Sequence, residues 1–599
     1  MKTMAALAAT ALVAAALILG TGGSPPAAAQ ENGKPIITIG LEQGIDNLNP
    51  IRGYTVAAFE SWNLQWATLT DKKAEDFSIA PGLAESWEGS GKEYTYTLRP
   101  DLKWSDGTPL TAEDVAWTIN TSREEEWLNH FATTGKLTAE ALSDTEIKVT
   151  SEVDDPKLPI LDVYILPKHV YGEFDKKGRQ KFNGETDVGS GPFTLDEFKK
   201  GQFARFKANP NYWQGQPALD EVIIRKFNNA DAMVAALRSG EIDFVQYVPE
   251  TQFLALEEDG DFTTVKGEQG GFDEFAINGG DGLKKPHPAL EDIEVRTAIM
   301  HAIDKQTIVD RVLRGLGTPA QAMSVSADPK WTPEIPAEEQ FDFDLEKAKQ
   351  ILEDAGYRDT DGDGVREMPG GGEPLNFRYA VRSESESSAP IAEFITGWLK
   401  DIGIETTQKS YDDGQLGEVI GRGDYDMFVW GWIPYVDPDP QLGYFTCDQV
   451  SSDPEDPLNY YNDANFCDPE YDKLYEEQKT ELDPERRVEI VHEMLRRFYS
   501  QAVYAPLYYQ ADLQAYRTGR FEGFQHQPAE TGPVLFSNTS PSYATLKVAA
   551  ADDTNTAAAG GGDDGGGSAG LIAGIVIALI AVAGLAWALM RRRTADERE

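Results

Sequence analysis

A run of twenty uncharged, apolar residues near the C-terminus limits what the rest of this 599-residue chain can be. Residues 571–590 are long enough to cross about 30 Å of hydrocarbon, and the arginines 591–593 follow as they do on the cytoplasmic side of a membrane helix. Residues 1–29 combine a basic start, an apolar core and an Ala-Ala-Ala step, which is typical of a cleavable secretory signal. A retained membrane helix is the alternative for that segment. The sequence therefore predicts an exported globular part, residues 30–548.

The flanking segments complete the predicted topology. Residues 549–570 are rich in Gly, Ala, Asp and Ser, as in a flexible linker, and residues 591–599 form a short cytoplasmic tail. We therefore expect a single-pass protein of the cell membrane, anchored by its own C-terminal transmembrane helix. Its globular part would lie on the outer side of that membrane.

The charge of the chain argues against nucleic acid as a partner. The sequence has 100 Asp and Glu against 54 Lys and Arg, a net charge of −46, and such a field repels phosphate groups. Catalytic patterns also fail: residues 189–191 lack the spacing of a nucleophile elbow. His492 and Glu493 are not followed by the second histidine of a zinc protease. The sequence therefore predicts neither an enzyme nor a need for a cofactor.

The chain has two cysteines, Cys447 and Cys467, both in the part predicted to be exported. In an oxidising compartment such a pair forms a disulfide, which is our expectation. Two separate buried thiols are the alternative.

An acidic turn matches part of a calcium loop. Three aspartates and a glycine occupy positions 1, 3, 5 and 6 of an EF-hand pattern: Asp359, Asp361, Asp363 and Gly364. The twelfth position, where the pattern requires Glu, is Gly370. We therefore expect no metal here but an acidic surface turn. Calcium is the alternative, with Glu367 or Glu373 replacing the missing ligand.

Strand-like and helix-like segments alternate irregularly in the globular part, which predicts a mixed α/β protein of several lobes. Helices are predicted to begin at Thr111, at Asp344 with a stop at Gly356, and at Pro484 after the cap Asp483. One more helix is predicted over residues 292–313, where apolar residues recur near a 3.6 period. Those residues are Val295, Ile299, Ile303, Ile308 and Val312.

Several motifs follow one another in order along most of the globular part. They are Ala80-Pro-Gly-Leu-Ala-Glu-Ser-Trp87, Tyr94-Thr-Tyr-Thr-Leu-Arg99, Lys103-Trp-Ser-Asp-Gly-Thr-Pro-Leu-Thr-Ala-Glu-Asp-Val115, Leu166-Pro-Lys-His169, Gly189-Ser-Gly-Pro-Phe193, Asn209-Pro-Asn-Tyr-Trp213 and Gly240-Glu-Ile-Asp243. In this order they resemble family 5 solute-binding proteins, the extracytoplasmic receptors of the dipeptide, oligopeptide and nickel ABC importers.

The resemblance implies a bilobal α/β fold of the periplasmic-binding type, with a ligand cleft between the lobes. The first lobe would be discontinuous, comprising residues 30–77, 188–283 and 507–548. An inserted subdomain would span residues 78–187, and the second lobe residues 284–506. The implied function is capture of a solute, expected to be a peptide, and its delivery to an ABC permease. An oligosaccharide or another small solute is the alternative ligand, and a membrane-anchored sensor is the alternative function.

The segment 425–440 resembles the family's Gly-Trp…Asp-Pro segment, which lines the cleft. The resemblance implies six ligand-binding residues: Tyr54, Trp430, Trp432, Tyr435, Asp437 and Asp439. Aromatic rings offer stacking area, and carboxylates pair with ammonium groups. The alternative is that Trp430 packs in the core while the two aspartates cap the turn. The segment also departs from peptide-binding members, because the position of their amino-group-binding Asp falls on Tyr435 or Pro434.

Overall fold

The computed structural model describes residues 35–550, except residues 54, 128–129, 162, 384, 386, 433–434, 456–459 and 536–540. The predicted signal peptide, linker, C-terminal helix and cytoplasmic tail lie outside the described residues. Contacts join the described residues up to Val548 into one compact unit.

A large mixed sheet forms the centre of this unit. Its strands, in spatial order, are β15 (Glu405–Tyr411), β14 (Asn376–Arg382), β16 (Met427–Trp432), β12 (Phe262–Ile277), β17 (Tyr504–Arg517), β11 (Phe244–Val245), β1 (Ile36–Leu41), β10 (Glu221–Lys226), β9 (Phe203–Ala208) and β8 (Phe193–Lys199), with β13 (Thr318–Pro319) paired to β17. β12 and β17 are antiparallel, whereas β1 and β10 are parallel.

The two long strands β12 and β17 pass from one hydrophobic core to another. On β12, Val265 belongs to the core built around β1, while Phe275 belongs to the core built around β14. On β17, Leu507 lies in the second core and Leu513 on the side of the first. The pairing of the two strands shifts register between Glu268 and Phe272. The predicted bilobal α/β fold is therefore confirmed, and we call the sides around β1 and β14 the first and second lobe.

Smaller sheets flank the central one. An antiparallel four-stranded sheet packs against the first core and has the order β4 (Ala84–Ser90), β5 (Glu93–Leu98), β7 (Glu146–Ser151) and β6 (Leu137–Ala141). Two-stranded pairs join β2 (Thr70–Lys72) to β3 (Ile79–Pro81) and β18 (Phe521–Glu522) to β19 (Lys547–Val548). The four-stranded sheet falls within the predicted inserted subdomain, residues 78–187. The boundaries of lobes and subdomain stay a prediction.

Helices cover the sheets. Those of the first half are α1 (Val56–Gln65), α2 (Ala112–Glu125), α3 (Phe131–Thr134), α4 (Lys168–Tyr171), α5 (Lys176–Lys181), α6 (Ala230–Ser239) and α7 (Glu250–Glu257). Those that follow are α8 (Ile293–His301), α9 (Lys305–Arg311), α10 (Leu345–Asp354), α11 (Ser388–Asp401), α12 (Asp413–Gly421), α13 (Asp439–Gly443), α14 (Pro469–Gln478), α15 (Pro484–Ser500) and α16 (Ser542–Thr545). Short 3-10 turns are Pro288–Glu291, Pro329–Trp331, Ala337–Glu339 and Cys447–Gln449.

The structure does not support the predicted C-terminal transmembrane helix, whose residues 571–590 lie outside the described residues. Within residues 35–550 and their gaps, no helix is long and apolar enough to cross a membrane. The longest described helix, α15, has 17 residues and carries charged side chains on its outer face, whereas a span needs about 20 apolar residues. The fold class is therefore corrected to the bilobal α/β fold alone. The single-pass membrane localisation is corrected with it, because it rested on that helix.

The expected disulfide is present and joins Cys447 to Cys467, with 4.5 Å between the two Cα atoms. It ties the turn after α13 to the residue before the cap of α14. Asp472 on α14 also accepts a hydrogen bond from the backbone N–H of Cys447 at 2.9 Å. The covalent link and this hydrogen bond hold the same turn.

Replacing both cysteines with serine is expected to lower the free energy of unfolding by about 3 kcal/mol, because the unfolded chain regains the freedom of a closed loop. The 20-residue separation sets the size of that loop. Urea unfolding of the wild type and the double variant measures the difference. Reduced wild type serves as the control and should match the variant. Equal midpoints for oxidised and reduced wild type would contradict the prediction.

Candidate functional site

A cavity of about 1890 Å³ is lined by both lobes. Its aromatic lining comes from Phe59, Trp66, Tyr94, Tyr212 and Trp213 on the first-lobe side and from Trp331, Tyr435, Tyr444, Tyr461 and Tyr475 on the second. Pockets for drug-sized ligands typically have about 300–1,000 Å³. This cavity is therefore large enough for an extended solute and has the arrangement of an interlobe cleft.

Four side chains of the second lobe form one aromatic wall: Trp432, Tyr435, Tyr444 and Tyr461. Tyr444 is at its centre, 4.9 Å from the ring of Tyr461 in a stacked arrangement and 5.3 Å from the ring of Trp432. The hydroxyls of Tyr435 and Tyr444 lie 3.1 Å apart. Tyr435 is 41% exposed and Tyr461 50% exposed, so the wall offers ring faces to whatever enters the cavity.

The two predicted tryptophans do not line the cavity directly. Trp430, on β16, is half-buried and packs on the second-lobe core. The guanidinium of Arg382 lies 4.7 Å from its ring centre. Trp432 contacts Tyr444 from behind the cavity surface. Tyr435, Asp437 and Asp439, in contrast, all lie among the lining residues.

Asp437 is paired inside the protein. Arg487 on α15 donates two hydrogen bonds to its carboxylate, at 2.7 and 2.8 Å, and the guanidinium lies 5.0 Å from the ring of Trp331. Asp437 also accepts the backbone N–H of Asp439 at 3.0 Å, as the capping alternative predicted. Burial would raise the pKa of Asp437, but Arg487 outweighs it and holds that pKa below its usual value.

Asp439, at the start of α13, is paired across the cleft. Its Oδ2 lies 2.5 Å from Nζ of Lys157, which belongs to the predicted inserted subdomain on the first-lobe side, and its Oδ1 accepts a hydrogen bond from Gln478 at 2.7 Å. Burial would raise the pKa of Asp439, yet Lys157 holds it below its usual value. Burial would likewise lower the pKa of Lys157, yet Asp439 and Asp437 raise it. Both predicted carboxylates are therefore ionised and already matched by internal cations.

Two further carboxylates are buried behind the aromatic wall. Trp432 donates a hydrogen bond to the hydroxyl of Tyr504 at 2.8 Å, and that hydroxyl donates to Asp463 at 2.9 Å. Glu274 on β12 is 0% exposed, and neither of its carboxylate oxygens has a hydrogen-bond partner among the described residues. Burial, with the nearby charge of Asp463, raises the pKa of Glu274 well above its usual value. Burial also raises the pKa of Asp463 to about 7.

Sequence reasoning missed the cations of this site and the centre of its wall. Lys157 is 282 positions from Asp439, so no local pattern joins them. Arg487 left a readable signal, because it shares one face of α15 with buried apolar residues. Tyr444 lies four residues after the end of the predicted segment and belongs to no motif. The predicted Tyr54 lies outside the described residues.

The acidic turn brings Glu367 together with Asp359, Asp361 and Asp363. One ligand atom from each lies within 4.8 Å of the others. Glu367 also accepts hydrogen bonds at 2.8 Å from the backbone N–H and the hydroxyl of Thr360. The three aspartates are exposed, as the surface-turn expectation requires. The metal-free surface turn stays the prediction, and calcium stays its alternative.

Comparison with known proteins places the chain among receptors. The model for the middle part of family 5 bacterial extracellular solute-binding proteins matches residues 78–453. The oligopeptide-binding protein AppA of Bacillus subtilis is 28% identical over 480 residues, covering 78% of this chain and 84% of that protein. The nickel-binding periplasmic protein of Escherichia coli is 26% identical over 494 residues, covering 79% and 88%.

Solved structures share the fold. The complex of B. subtilis AppA with a nonapeptide aligns with a TM-score of 0.67 at 25% identity, covering 86% of this chain and 100% of that one. A periplasmic oligopeptide-binding protein of Thermotoga maritima aligns with a TM-score of 0.74 at 21% identity, covering 87% and 100%. The bilobal fold, the interlobe cavity and the match over residues 78–453 lead to one assignment. The chain belongs to the family 5 bacterial extracellular solute-binding proteins.

Proposed function

We propose that this protein is the extracytoplasmic receptor of an ABC importer and captures a peptide between its two lobes for delivery to the permease. Family membership supports the receptor class. The observation that carries the peptide assignment is the interlobe cavity of about 1890 Å³ lined by aromatic side chains. A relative named for oligopeptides supports it. Residues 1–29 stay the predicted export signal, and an oligosaccharide is the alternative ligand.

We further propose how the second-lobe side chains share this task. Tyr435 contacts the solute directly, because it is exposed at the cavity surface. Trp432 supports the wall through Tyr444, and Trp430 supports the strand from the core. Asp437 and Asp439 shape the turn at the cavity through their ion pairs. Tyr54 is kept as a candidate on the resemblance alone.

The lobes close around the solute through the two strands that connect their cores. β12 and β17 carry a register shift between Glu268 and Phe272, and irregular pairing is a place where strands bend. A solute that contacts both lobes binds the closed form better than the open one. It therefore shifts the population toward closure.

Native mass spectrometry of the purified protein tests the proposed ligand. Release of a heterogeneous set of short peptides on denaturation would support a peptide receptor. Release of one sugar would refute the peptide while leaving the receptor class intact. If no ligand is released, thermal-shift assays with defined peptides and oligosaccharides replace mass spectrometry as the test. Stabilisation by oligosaccharides alone would then refute the peptide.

Replacing Tyr444 with alanine is expected to weaken binding of the captured solute by about 10- to 100-fold, because it removes the ring that joins the wall. Isothermal titration calorimetry on unfolded and refolded, ligand-free protein measures the change. Phe343→Ala is the matched control, since Phe343 is 44% exposed but lies outside the cavity lining. Equal losses in both variants would contradict a specific role for the wall.

A further inference from the structure

A buried network of four charges lies where the two lobes meet the cavity. Lys157 pairs with Asp439 at 2.5 Å, and Arg487 pairs with Asp437 at 2.7 Å. Gln478 joins the pairs, because it accepts from Nε of Arg487 at 3.1 Å and donates to Asp439 at 2.7 Å. The network carries two positive and two negative charges. It is therefore electrically balanced before any solute enters.

Lys157 is held in place by its own lobe. Asp155, only 3% exposed, accepts the backbone N–H of Lys157 at 2.9 Å and lies 3.1 Å from Nζ of Lys136. The next residue, Leu158, is 0% exposed in the first-lobe core. The backbone is thus fixed on both sides of Lys157. Its side chain, 16% exposed, extends across the cavity to Asp439 on the other lobe, which is 12% exposed.

We propose that Lys157 is a specificity-determining residue that acts as the cleft's internal ammonium group. It occupies the carboxylate that an ammonium group of a solute would otherwise take. The cleft then selects solutes that bring no ammonium group to the turn at residues 437–439, so a peptide needs no free amino group there. This inference rests on the proposed function, which it deepens by defining the ligand's charge.

The charges around the turn favour this selection. A solute ammonium at Asp439 would either displace Lys157 into the cavity or lie beside it as a like charge, which is unfavourable in a desolvated site. Asp437 is a poorer partner for such an ammonium group, because Arg487 already donates to both of its oxygens and neutralises its charge. Neutral backbone and aromatic or aliphatic side chains meet no such opposition. They match the aromatic lining instead.

Chemical rescue of Lys157→Ala tests the internal ammonium without any peptide. The variant lacks the propylammonium group of lysine beside Asp439, and n-propylammonium chloride is expected to raise its melting temperature by about 2 °C or more above an equal concentration of KCl. Wild type should show no such shift. Lys330→Ala is the matched control, because Lys330 also lines the cavity and pairs with an aspartate at 2.5 Å. A shift equal to that of the control overturns the inference.

Peptide selectivity gives the second readout. Wild type should bind penta-alanine and N-acetyl-penta-alanine with affinities within about threefold of each other, whereas Lys157→Ala should prefer the free amine by about tenfold or more. Lys157→Arg, which keeps the charge, should behave like wild type. If Lys157→Ala does not fold, Lys157→Met replaces it here. A tenfold preference of wild type for the free amine overturns the inference.

The two readouts separate the two proposals. If neither peptide binds to wild type or variant, the proposed peptide function fails, and the propylammonium shift alone decides the role of Lys157. If peptides bind but selectivity does not change between wild type and Lys157→Ala, the receptor proposal stands. The specificity role of Lys157 is then refuted.

Discussion

Replacing Arg487 with methionine is expected to lower the free energy of unfolding by about 3–5 kcal/mol, because it leaves a carboxylate in the protein without its cation. Arg487 is 4% exposed and makes both direct bonds to Asp437. Methionine keeps the length and apolar area of the side chain. The decrease in the free energy of unfolding is therefore due mainly to the unpaired charge of Asp437 and only in small part to lost packing. Urea unfolding at neutral pH measures it.

Two further variants make this result specific. Arg486→Met is the matched control, because Arg486 precedes Arg487 on the same helix but its side chain is 45% exposed and pairs only with exposed glutamates. Its expected effect is within about 0.5 kcal/mol. The double variant Arg487→Met with Asp437→Asn should recover part of the loss, since the unpaired charge is gone. Equal effects of the two single variants would contradict the prediction.

Helix ends could be predicted where their signals are local. The helix predicted from Asp344 to the stop at Gly356 is α10, capped by the side chain of Asp344 and followed by Gly356 at φ +89°. The helix predicted after Asp483 is α15, with Asp483 accepting from the first-turn amides. Such caps depend on residues within four positions of each other. Tertiary structure does not need to be known to read them.

The predicted helix over residues 292–313 shows where periodicity misleads. The structure divides it into α8 and α9, because Asp304 caps the second helix through the N–H of Thr307. Val295 and Ile308, one on each helix, are both buried in the same core. The apolar spacing thus continues from one helix into the next, although the helical backbone conformation is interrupted between them. The cap at Asp304 was the only local sign of that break.

The site was only partly readable for a related reason. The turn with Asp437 and Asp439 is contiguous, so its resemblance to the family segment could be recognised. What the two carboxylates bind depends on Arg487, 50 positions away, and Lys157, 282 positions away. Contacts between residues so far apart in the sequence form only when the lobes fold and pack against each other. No spacing in the sequence encodes them.

Replacing Glu274 with glutamine is expected to raise the free energy of unfolding at pH 8 by about 1–3 kcal/mol, because the buried carboxyl must otherwise either keep its proton above its unfolded-state pKa or ionise without compensation, and both are unfavourable. The sign follows from the pKa values. Burial raises the pKa of Glu274 well above its usual value and that of Asp463 to about 7. Unfolded carboxyl groups titrate near pH 4. The folded protein therefore binds more protons between pH 4 and 7, and this pair makes wild type less stable as pH rises through that window.

Glu274→Gln should also flatten that pH dependence. With Glu274 gone, one of the two carboxyl groups whose pKa burial raises no longer titrates, so the pH dependence that this pair contributes comes from Asp463 alone. Unfolding at several pH values between 5 and 8 measures both effects. Glu268→Gln is the matched control, because Glu268 lies on the same strand but is exposed, and it should change stability by no more than about 0.5 kcal/mol.

The opposite result would identify a different chemistry in the same place. If Glu274→Gln were destabilising at pH 8, the carboxylates of Glu274 and Asp463 would have to be charged and compensated in the folded protein, as by a bound cation. Wild type would then lose stability toward pH 5 rather than gain it. Asp463 is joined through Tyr504 to Trp432 of the aromatic wall. Either outcome therefore has a consequence for solute binding in the cleft. A proton shared by the pair would make solute affinity change with pH, whereas a bound cation would make it change with a chelator.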